Sequence, residues 1–305
     1  MAIPQPLEQR GTSLASVPTV TGIARRLGWL DAPGLAGAVD EQPNATALWS
    51  RAQGAPTRLV ALGWVDVCQL VLACDGAGIE TPAQLAGRRL ALPQRDGDGI
   101  DLARASARRG LHAAISLAGL FPDEVAWVDV PAGDGPPYAA ETAALRAGAV
   151  DAIFASGPHG WTLAGGAGLR VVVDVGAHLA PMVRANAATP MAFTADAATL
   201  ARAPERVVRA LAALLRAAGR ARRHADAVAA AAAELTGATP AAIAGAYGGA
   251  LHERLGLDLS VTALAGVAWQ KDFLLTCGLL ARDVDVAAWA DPAPLAAARE
   301  LVGAA

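Results

Sequence analysis

The chain has 305 residues, of which 54% are hydrophobic and 4% aromatic, and its formal net charge at pH 7 is −3. This length fits about two domains, with cores filled mainly by Ala, Leu and Val. The slightly acidic charge argues against a general nucleic-acid-binding protein, and no unbroken apolar stretch is long enough to predict a membrane span.

The N-terminal segment and the cysteines bear on the cellular compartment. Segment 1–18 lacks the basic and apolar regions of a signal peptide. Cys68, Cys74 and Cys277 are odd in number and lack the spacing of metal ligands, so neither a structural disulfide nor a metal site is expected. The lack of a signal-peptide pattern and of expected disulfides predicts a cytoplasmic protein. A nucleotide or flavin fingerprint is also absent, so no cofactor is expected.

The first part of the chain alternates helical and extended patterns. It predicts a helix over 18–29, a second helix within 41–53, and strands over 58–63 and 67–73. Residues 12–14 are a short candidate for a strand before the first helix.

Segment 78–93, GIETPAQLAGRRLALP, predicts a loop, a short helix and a strand. Thr81 can cap the helix with Pro82 at its first position, and Gly87 suits the left-handed position after its end. The apolar run that follows predicts a short strand, which ends at Pro93.

The rest of the chain continues this alternation and then becomes helical. The predicted strands are 125–130, 150–155, 170–175 and 189–194, and the predicted helices are 100–120, 138–147, 204–235, 261–280, 291–301 and one that begins at Thr239-Pro240. Strands that alternate with helices predict an α/β fold with a parallel sheet.

Segment 78–93 resembles the start of the second lobe in type II solute-binding proteins of the nitrate, sulfonate and thiamine-precursor group. Other landmarks follow in the order of that group: TRLVALG at 57–63, VDAIFASGP at 150–158, LRVVVDVG at 169–176, and a tail from 223 to 289. Within the group, the chain is similar to the bacterial aromatic sulfinate desulfinases. The resemblance implies a two-lobed periplasmic-binding-protein-like fold with a ligand cleft between the lobes. Lobe I would be 1–88 plus 190–305, and lobe II would be 89–189.

The chain departs from the desulfinases at their catalytic residues. Those enzymes use a cysteine in the first loop, and a histidine and an arginine in a long segment before the TRL strand. Here the first loop, 13–18, contains no cysteine, and segment 40–56 contains no histidine. The resemblance therefore implies the fold, but it does not carry the desulfinase residues over.

Two groups of residues are candidates for holding an anion. The hydroxyls and amides around Ser13 and Ser16 could bind a carboxylate or sulfinate, or simply cap the following helix. Arg95, before a predicted helix, is a candidate anion clamp; the alternative is a solvated turn. Arg51 is the one basic residue in segment 40–56.

The segment between strands 58–63 and 67–73 is a second candidate, because strand ends in such folds face the ligand. It contains Trp64, Asp66, Cys68 and Gln69. Asp66 and Cys68 fall on one side of an extended segment, and a carboxylate beside a thiol raises the thiol pKa, which suits a proton donor. The alternative is that Cys68 is a small buried apolar residue.

The third candidate is the loop that begins at Ser156, after strand 150–155. His159 is the best candidate for a general acid or base, because imidazole titrates near neutral pH. Trp161, like Trp64, could pack on an aromatic ligand. The alternative is a surface histidine.

Two functions remain open at this point. The first is a cytoplasmic, desulfinase-like enzyme that cleaves a C–S or C–C bond in a small anionic, aromatic or heterocyclic substrate with proton transfer, as a lyase does. The second is a non-catalytic protein, either the binding component of an importer or an intracellular carrier, for a sulfonate, carboxylate or pyrimidine-like ligand. Both predict a small anionic or aromatic ligand, and either a monomer or a homodimer.

Overall fold

A computed structural model describes residues 17–30, 37–95, 97 and 99–303. The strands are β1 (Asp40–Pro43), β2 (Thr57–Gly63), β3 (Gln69–Cys74), β4 (Arg89–Gln94), β5 (Ala126–Pro131), β6 (Ile153–Ser156), β7 (Leu169–Asp174) and β8 (Met191–Asp196). The α-helices are α1 (Val20–Arg26), α2 (Asn44–Ala52), α3 (Leu102–Leu117), α4 (Ala139–Arg146), α5 (Gly157–Ala164), α6 (Pro181–Arg184), α7 (Ala197–Arg202), α8 (Pro204–Ala221), α9 (Ala225–Thr236), α10 (Pro240–Tyr247), α11 (Val261–Thr276), α12 (Val286–Trp289) and α13 (Ala293–Gly303). The α/β fold class is confirmed.

The sheets are mixed, and the predicted parallel sheet is wrong for most strand pairs. In the first lobe, β8 lies between β1 and β2 and is antiparallel to both. In the second lobe, β3 lies between β6 and β7 and is antiparallel to both, whereas β4 and β5 pair in parallel. Strands β3 and β8 each follow a crossing of the chain between the lobes, and each is antiparallel to the two strands beside it.

The chain passes from the first sheet to the second at residues 64–68, between β2 and β3, because β3 pairs with β6 and β7. The lobe bounds given above stay a prediction. Ile79 and Leu85 then pack in the same apolar core as β4. The chain returns to the first lobe just before β8.

Two helical predictions need correction. The segment after Ser156 is the helix α5 rather than a loop, with Gly157 at a φ of +69° and a proline in its first turn. The predicted helix 204–235 is two helices, α8 and α9, separated at residues 222–224. Thr239 caps α10 as predicted, since its side-chain oxygen accepts from the Ala242 amide at 3.2 Å. The candidate strand 12–14 lies outside the described residues.

No single helix in the described ranges is both long and apolar enough to cross a membrane. Helices α9 and α10 pass a test of length and composition only as a pair, and they are bent by 102° at the break between them.

Helix α3 packs against β6 at a glycine. A Cβ atom added at Gly110 would lie 2.0 Å from the Phe154 ring, and Phe154 is itself 4% exposed. The close approach of helix and strand at this point therefore requires a residue without a side chain.

We predict that replacing glycine by alanine has opposite effects on the free energy of unfolding at Gly110 and at Gly219. Gly110→Ala should lower the free energy of unfolding by about 1–3 kcal/mol, because the added methyl group must displace the Phe154 ring. Gly219→Ala in α8, where a Cβ meets nothing within 4 Å, should raise it by about 0.5–1 kcal/mol. Urea unfolding followed by circular dichroism measures both, and an unchanged or higher stability of Gly110→Ala would contradict this packing.

Candidate functional site

A cavity lies where the chain crosses between the lobes. Its empty volume is about 530 Å³, which includes space open to solvent. The lining comes from both crossings, α3, α5 and α10: Val17, Val67, Gln69, Ser106, Ser156, Gly157, Pro158, His159, Asn186, Ala188, Thr189 and Tyr247. These side chains are apolar or uncharged polar groups, apart from the imidazole of His159.

Buried amides fix the wall of this cavity. The Nε2 atom of Gln69 donates to the Arg184 carbonyl at 2.7 Å, and its Oε1 accepts from Asn186 Nδ2 at 2.7 Å. Asn44 on α2 donates to the carbonyls of Asn186 and Pro190 at 2.6 and 2.7 Å. Gln69, a predicted ligand contact, therefore lines the cavity but directs both ends of its amide into the protein.

Three buried residues with hydroxyl groups line the cavity. Ser106 and Thr189 are each 6% exposed, and Tyr247 is 3% exposed. No residue in the described ranges forms a hydrogen bond with any of these hydroxyls. The Tyr247 hydroxyl is near the start of α5, 4.0 Å from where a Cβ of Gly157 would lie. Burial raises the pKa of Tyr247, so its hydroxyl stays neutral and can donate a hydrogen bond.

The beginning of α5 also borders the cavity. Ser156 occupies the N-cap position but makes no capping hydrogen bond. Its hydroxyl instead lies 3.3 Å from the hydroxyl of Tyr138, which also donates to the Ser156 carbonyl at 3.1 Å. The Gly157 amide donates to the Cys68 carbonyl at 3.1 Å and Pro158 has no N–H, so the amides of the first turn without a side-chain acceptor are those of His159 and Gly160. The start of a helix carries partial positive charge and favours an anion.

His159 is held in one orientation. Its Nε2 lies 3.0 Å from the carbonyl oxygen of Thr236, the last residue of α9. Because a carbonyl only accepts, Nε2 must carry a hydrogen, and the neutral ring then has Nδ1 as its acceptor. The predicted acid or base thus lines the cavity with one ring nitrogen already engaged.

Cys68 does not have the predicted surroundings. It is 5% exposed, does not line the cavity, and its Sγ donates to the Gly157 carbonyl at 3.4 Å. Burial raises the pKa of this thiol to about 12, and the charge of Asp174 adds to the shift. The carboxylate that acts on Cys68 is therefore that of Asp174 rather than Asp66, and the alternative prediction of a small buried residue fits this placement.

Asp66 and Trp64 serve the crossing segment instead. The Trp64 Nε1 atom donates to Asp66 Oδ1 at 2.7 Å, and Arg184 Nε lies 3.0 Å from the same oxygen. The Trp64 ring packs against Gly266 of α11, where an added Cβ would come within 2.5 Å of it. Neither predicted residue lines the cavity.

The remaining predicted residues divide into three groups. Arg95 lines a neighbouring cavity of about 380 Å³ that shares Ser106 and Ser156 with the first. Arg51, whose guanidinium donates to the Ala55 carbonyl at 3.0 Å, and Trp161, which packs on Gly245 of α10, do not line the cavity. Ser13 and Ser16 lie outside the described residues.

Sequence reasoning missed Ser106, Asn186, Thr189 and Tyr247. Ser106 lies inside a predicted helix, and its position toward the cleft depends on how α3 packs. Tyr247 offered the clearest signal, because the chain has only two tyrosines. No group of three or more His, Cys, Asp or Glu side chains that could hold a metal occurs within the described ranges.

Comparisons with solved structures identify the fold. A mutant of the desulfurization enzyme DszB in complex with biphenyl-2-sulfinic acid has 25% sequence identity and a TM-score of 0.74, covering 94% of this chain and 97% of that one. The periplasmic aliphatic sulphonate binding protein SsuA from Escherichia coli has 17% identity and a TM-score of 0.69, covering 91% and 90%. A putative SsuA from Methylobacillus flagellatus KT has 14% identity and a TM-score of 0.73, covering 94% and 89%.

The chain therefore has the type II periplasmic-binding-protein-like fold, which a desulfinase and sulfonate-binding proteins share. The predicted resemblance is confirmed at this level. No protein-family model matches the sequence, and the comparison with curated proteins gives no match either.

We predict that Cys68 reacts very slowly in the native protein. With a pKa of about 12, its thiolate fraction at pH 8 is roughly a thousandfold below that of an ordinary cysteine. Iodoacetamide labelling followed by peptide mass spectrometry should modify Cys74, which is half-buried at the end of β3, well before Cys68. In urea the two should react alike. Equal native rates would show that Cys68 is not buried as described.

Proposed function

We propose that the cavity between the lobes binds a small organic anion of the sulfonate or sulfinate class. The observation that carries this proposal is that three buried residues with hydroxyl groups, Ser106, Thr189 and Tyr247, line this cavity and use those hydroxyls in no hydrogen bond within the described ranges. An anion with several oxygen acceptors could accept hydrogen bonds from all three hydroxyls together.

The electrostatics of the cavity support the same ligand class. No residue in its described lining is acidic, and the start of α5 contributes partial positive charge. The adjoining cavity contains the cation of Arg95 together with the acidic side chain of Glu141. Hydrogen bonds from neutral donors to an ionised oxygen are about twice as strong as those between neutral groups.

The comparisons favour sulfur oxyanions within this class. DszB was solved with biphenyl-2-sulfinic acid, and the SsuA proteins are described as sulfonate-binding. These are properties of those proteins, and here they set the first ligands to test.

A second candidate function is cleavage of the C–S bond of a sulfinate. In that reaction the C–S bond breaks, its electron pair takes a proton at carbon, and sulfur leaves as sulfur dioxide. His159 is the side chain that favours it, because it lines the cavity and its imidazolium form could deliver the proton from Nδ1. Cys68 is not suited to this step, since it does not line the cavity.

A melting screen with product analysis separates the two functions. The purified protein is heated with aromatic sulfinates, aliphatic and aromatic sulfonates, carboxylates and thiamine-like pyrimidines, and every mixture is examined by mass spectrometry. A sulfonate or sulfinate that raises Tm and is recovered unchanged supports binding. A sulfinate that is consumed supports the lyase. If no anion of the panel raises Tm, the proposed function is wrong.

We predict that loss of a cavity hydroxyl weakens binding of the stabilising anion. Tyr247→Phe and Thr189→Val each remove a donor to a charged ligand, which costs about 1.5–3 kcal/mol, or roughly a 10- to 100-fold rise in Kd by titration calorimetry. Thr162→Val is the matched control, because the Thr162 hydroxyl donates to the Pro158 carbonyl at 2.9 Å and does not line the cavity. Equal effects of Thr189→Val and Thr162→Val would place the anion elsewhere.

If a sulfinate is consumed, we predict that His159→Ala lowers kcat by about 100-fold or more, which is the usual contribution of a general acid. The Kd of a sulfonate analogue should change only a few-fold, because other groups hold the anion. Unchanged turnover in this variant would exclude His159 as the proton donor.

A further inference from the structure

A second cavity adjoins the anion site and contains one acidic side chain. Its empty volume is about 290 Å³, which includes space open to solvent, and it shares Val17 and Ala188 with the first cavity. Glu41, in β1, and Thr19 are polar members of its lining. The rest is apolar or glycine, including Val20, Val65, Met191 and Leu255.

Thr19 directs the Glu41 carboxylate. The Thr19 hydroxyl donates to Glu41 Oε2 at 2.9 Å, and the hydroxyl oxygen of Thr19 accepts from the Gly22 amide at 3.1 Å. The hydroxyl therefore caps α1 and holds Glu41 at once. Thr21 also forms a hydrogen bond with the carboxylate, whose two oxygens have room for further partners because they can accept about four hydrogen bonds.

The charge of Glu41 is poorly compensated. Arg25 attracts it and Asp40 repels it, but Glu41 forms no salt bridge with any described side chain. Strand β8 places Phe193 opposite Glu41 in register, and segment 255–256 adds only a leucine and a glycine.

The pKa of Glu41 agrees with this geometry. Burial raises it to about 7, although hydrogen bonds from Thr21 and Thr19 act in the opposite direction. A folded-state pKa above the ordinary value of 4.5 means that stability is lost as pH rises from about 4.5 to 7, where the folded protein must give up its extra proton. Near neutral pH, a cation beside Glu41 would remove this disadvantage.

We propose that Glu41 selects an organic anion that also carries an ammonium group at its far end. The inference rests on the proposed anion site. The sulfur oxyanion occupies the first cavity, an apolar stem passes Val17 and Ala188, and the ammonium meets the Glu41 carboxylate in the second cavity. A purely structural role does not require a charge there, because glutamine could accept from Thr19 equally well.

Pairs of ligands that differ in one group test the inference. Titration calorimetry compares 3-aminopropane-1-sulfonate with butane-1-sulfonate, and 2-aminoethane-1-sulfonate with propane-1-sulfonate, at pH 6 and pH 8. Each pair has the same number of heavy atoms, and the amines stay protonated throughout. The ammonium ligand of the fitting length should bind about tenfold more tightly at pH 8 than at pH 6, because the ionised fraction of Glu41 rises from about a tenth to nine tenths. The alkyl ligands should not gain affinity.

Two variants assign the effect to one carboxylate. Glu41→Gln should remove the pH dependence and weaken the ammonium ligand at pH 8 by about tenfold or more, while the Kd of the alkyl ligand stays within about twofold. Without ligand, the same variant should raise Tm at pH 8 relative to the unsubstituted chain, which shows that it folds. Glu141→Gln, at an acidic residue of the neighbouring Arg95 cavity, should leave the preference intact.

The outcomes separate this inference from the proposed function. If alkyl sulfonates bind but the ammonium ligands gain nothing at pH 8, or if Glu141→Gln rather than Glu41→Gln removes the gain, Glu41 does not recognise a cation and the anion site still stands. If neither member of any pair binds, the proposed anion site and the proposed role of Glu41 are both wrong.

Discussion

The hydrogen bonds among Gln69, Asn186 and Asn44 hold together the place where the chain crosses between its lobes. All three side chains are at most 5% exposed, and they connect β3, α2 and the segment before β8. Breaking one such bond leaves a buried polar group unsatisfied, at a cost of about 1–3 kcal/mol. The position of Thr189, and so of its hydroxyl in the cavity, depends on this network, because Asn186 and Thr189 bond each other's backbone at 2.8 and 3.0 Å.

The amides that shape the cavity are satisfied within the protein, whereas the hydroxyls that face it are not, and this division is typical of a binding site. Groups with fixed partners give rigidity, and groups without partners give affinity when a ligand supplies the acceptor. Tyr138 contributes to this division at the start of α5, because its hydroxyl group contacts the hydroxyl of the N-cap residue Ser156. By engaging the Ser156 hydroxyl, it leaves the first turn of that helix without its usual side-chain acceptor.

The sequence predicted the α/β class, the two-lobed fold and the presence of Arg95 and His159 near the cleft. It could do so because local patterns mark strand ends and helix starts, and because landmarks such as QLAGRRLAL keep their order. It failed where long-range packing decides. The antiparallel course of β3 cannot be read from its own apolar run, and whether Cys68 faces Asp66 or Asp174 depends on how β7 pairs. The sequence around Ser106 indicates only a small residue within a helix, because the packing of α3 decides that this residue lines the cavity.

Three adjoining cavities are connected by shared lining residues. The cavity at one end contains both Arg95 and Glu141, and the cavity at the other end contains Glu41 as its acidic residue. A dipolar ligand of the proposed kind would place its oxyanion in the central cavity and its ammonium group beside Glu41. Such matching favours specificity over raw affinity, since an unpaired buried charge penalises the wrong ligand more than a correct pair rewards the right one. The most buried thiol, that of Cys68, is held protonated and does not line the cavity, so under the proposed function the chain uses the shared fold for recognition.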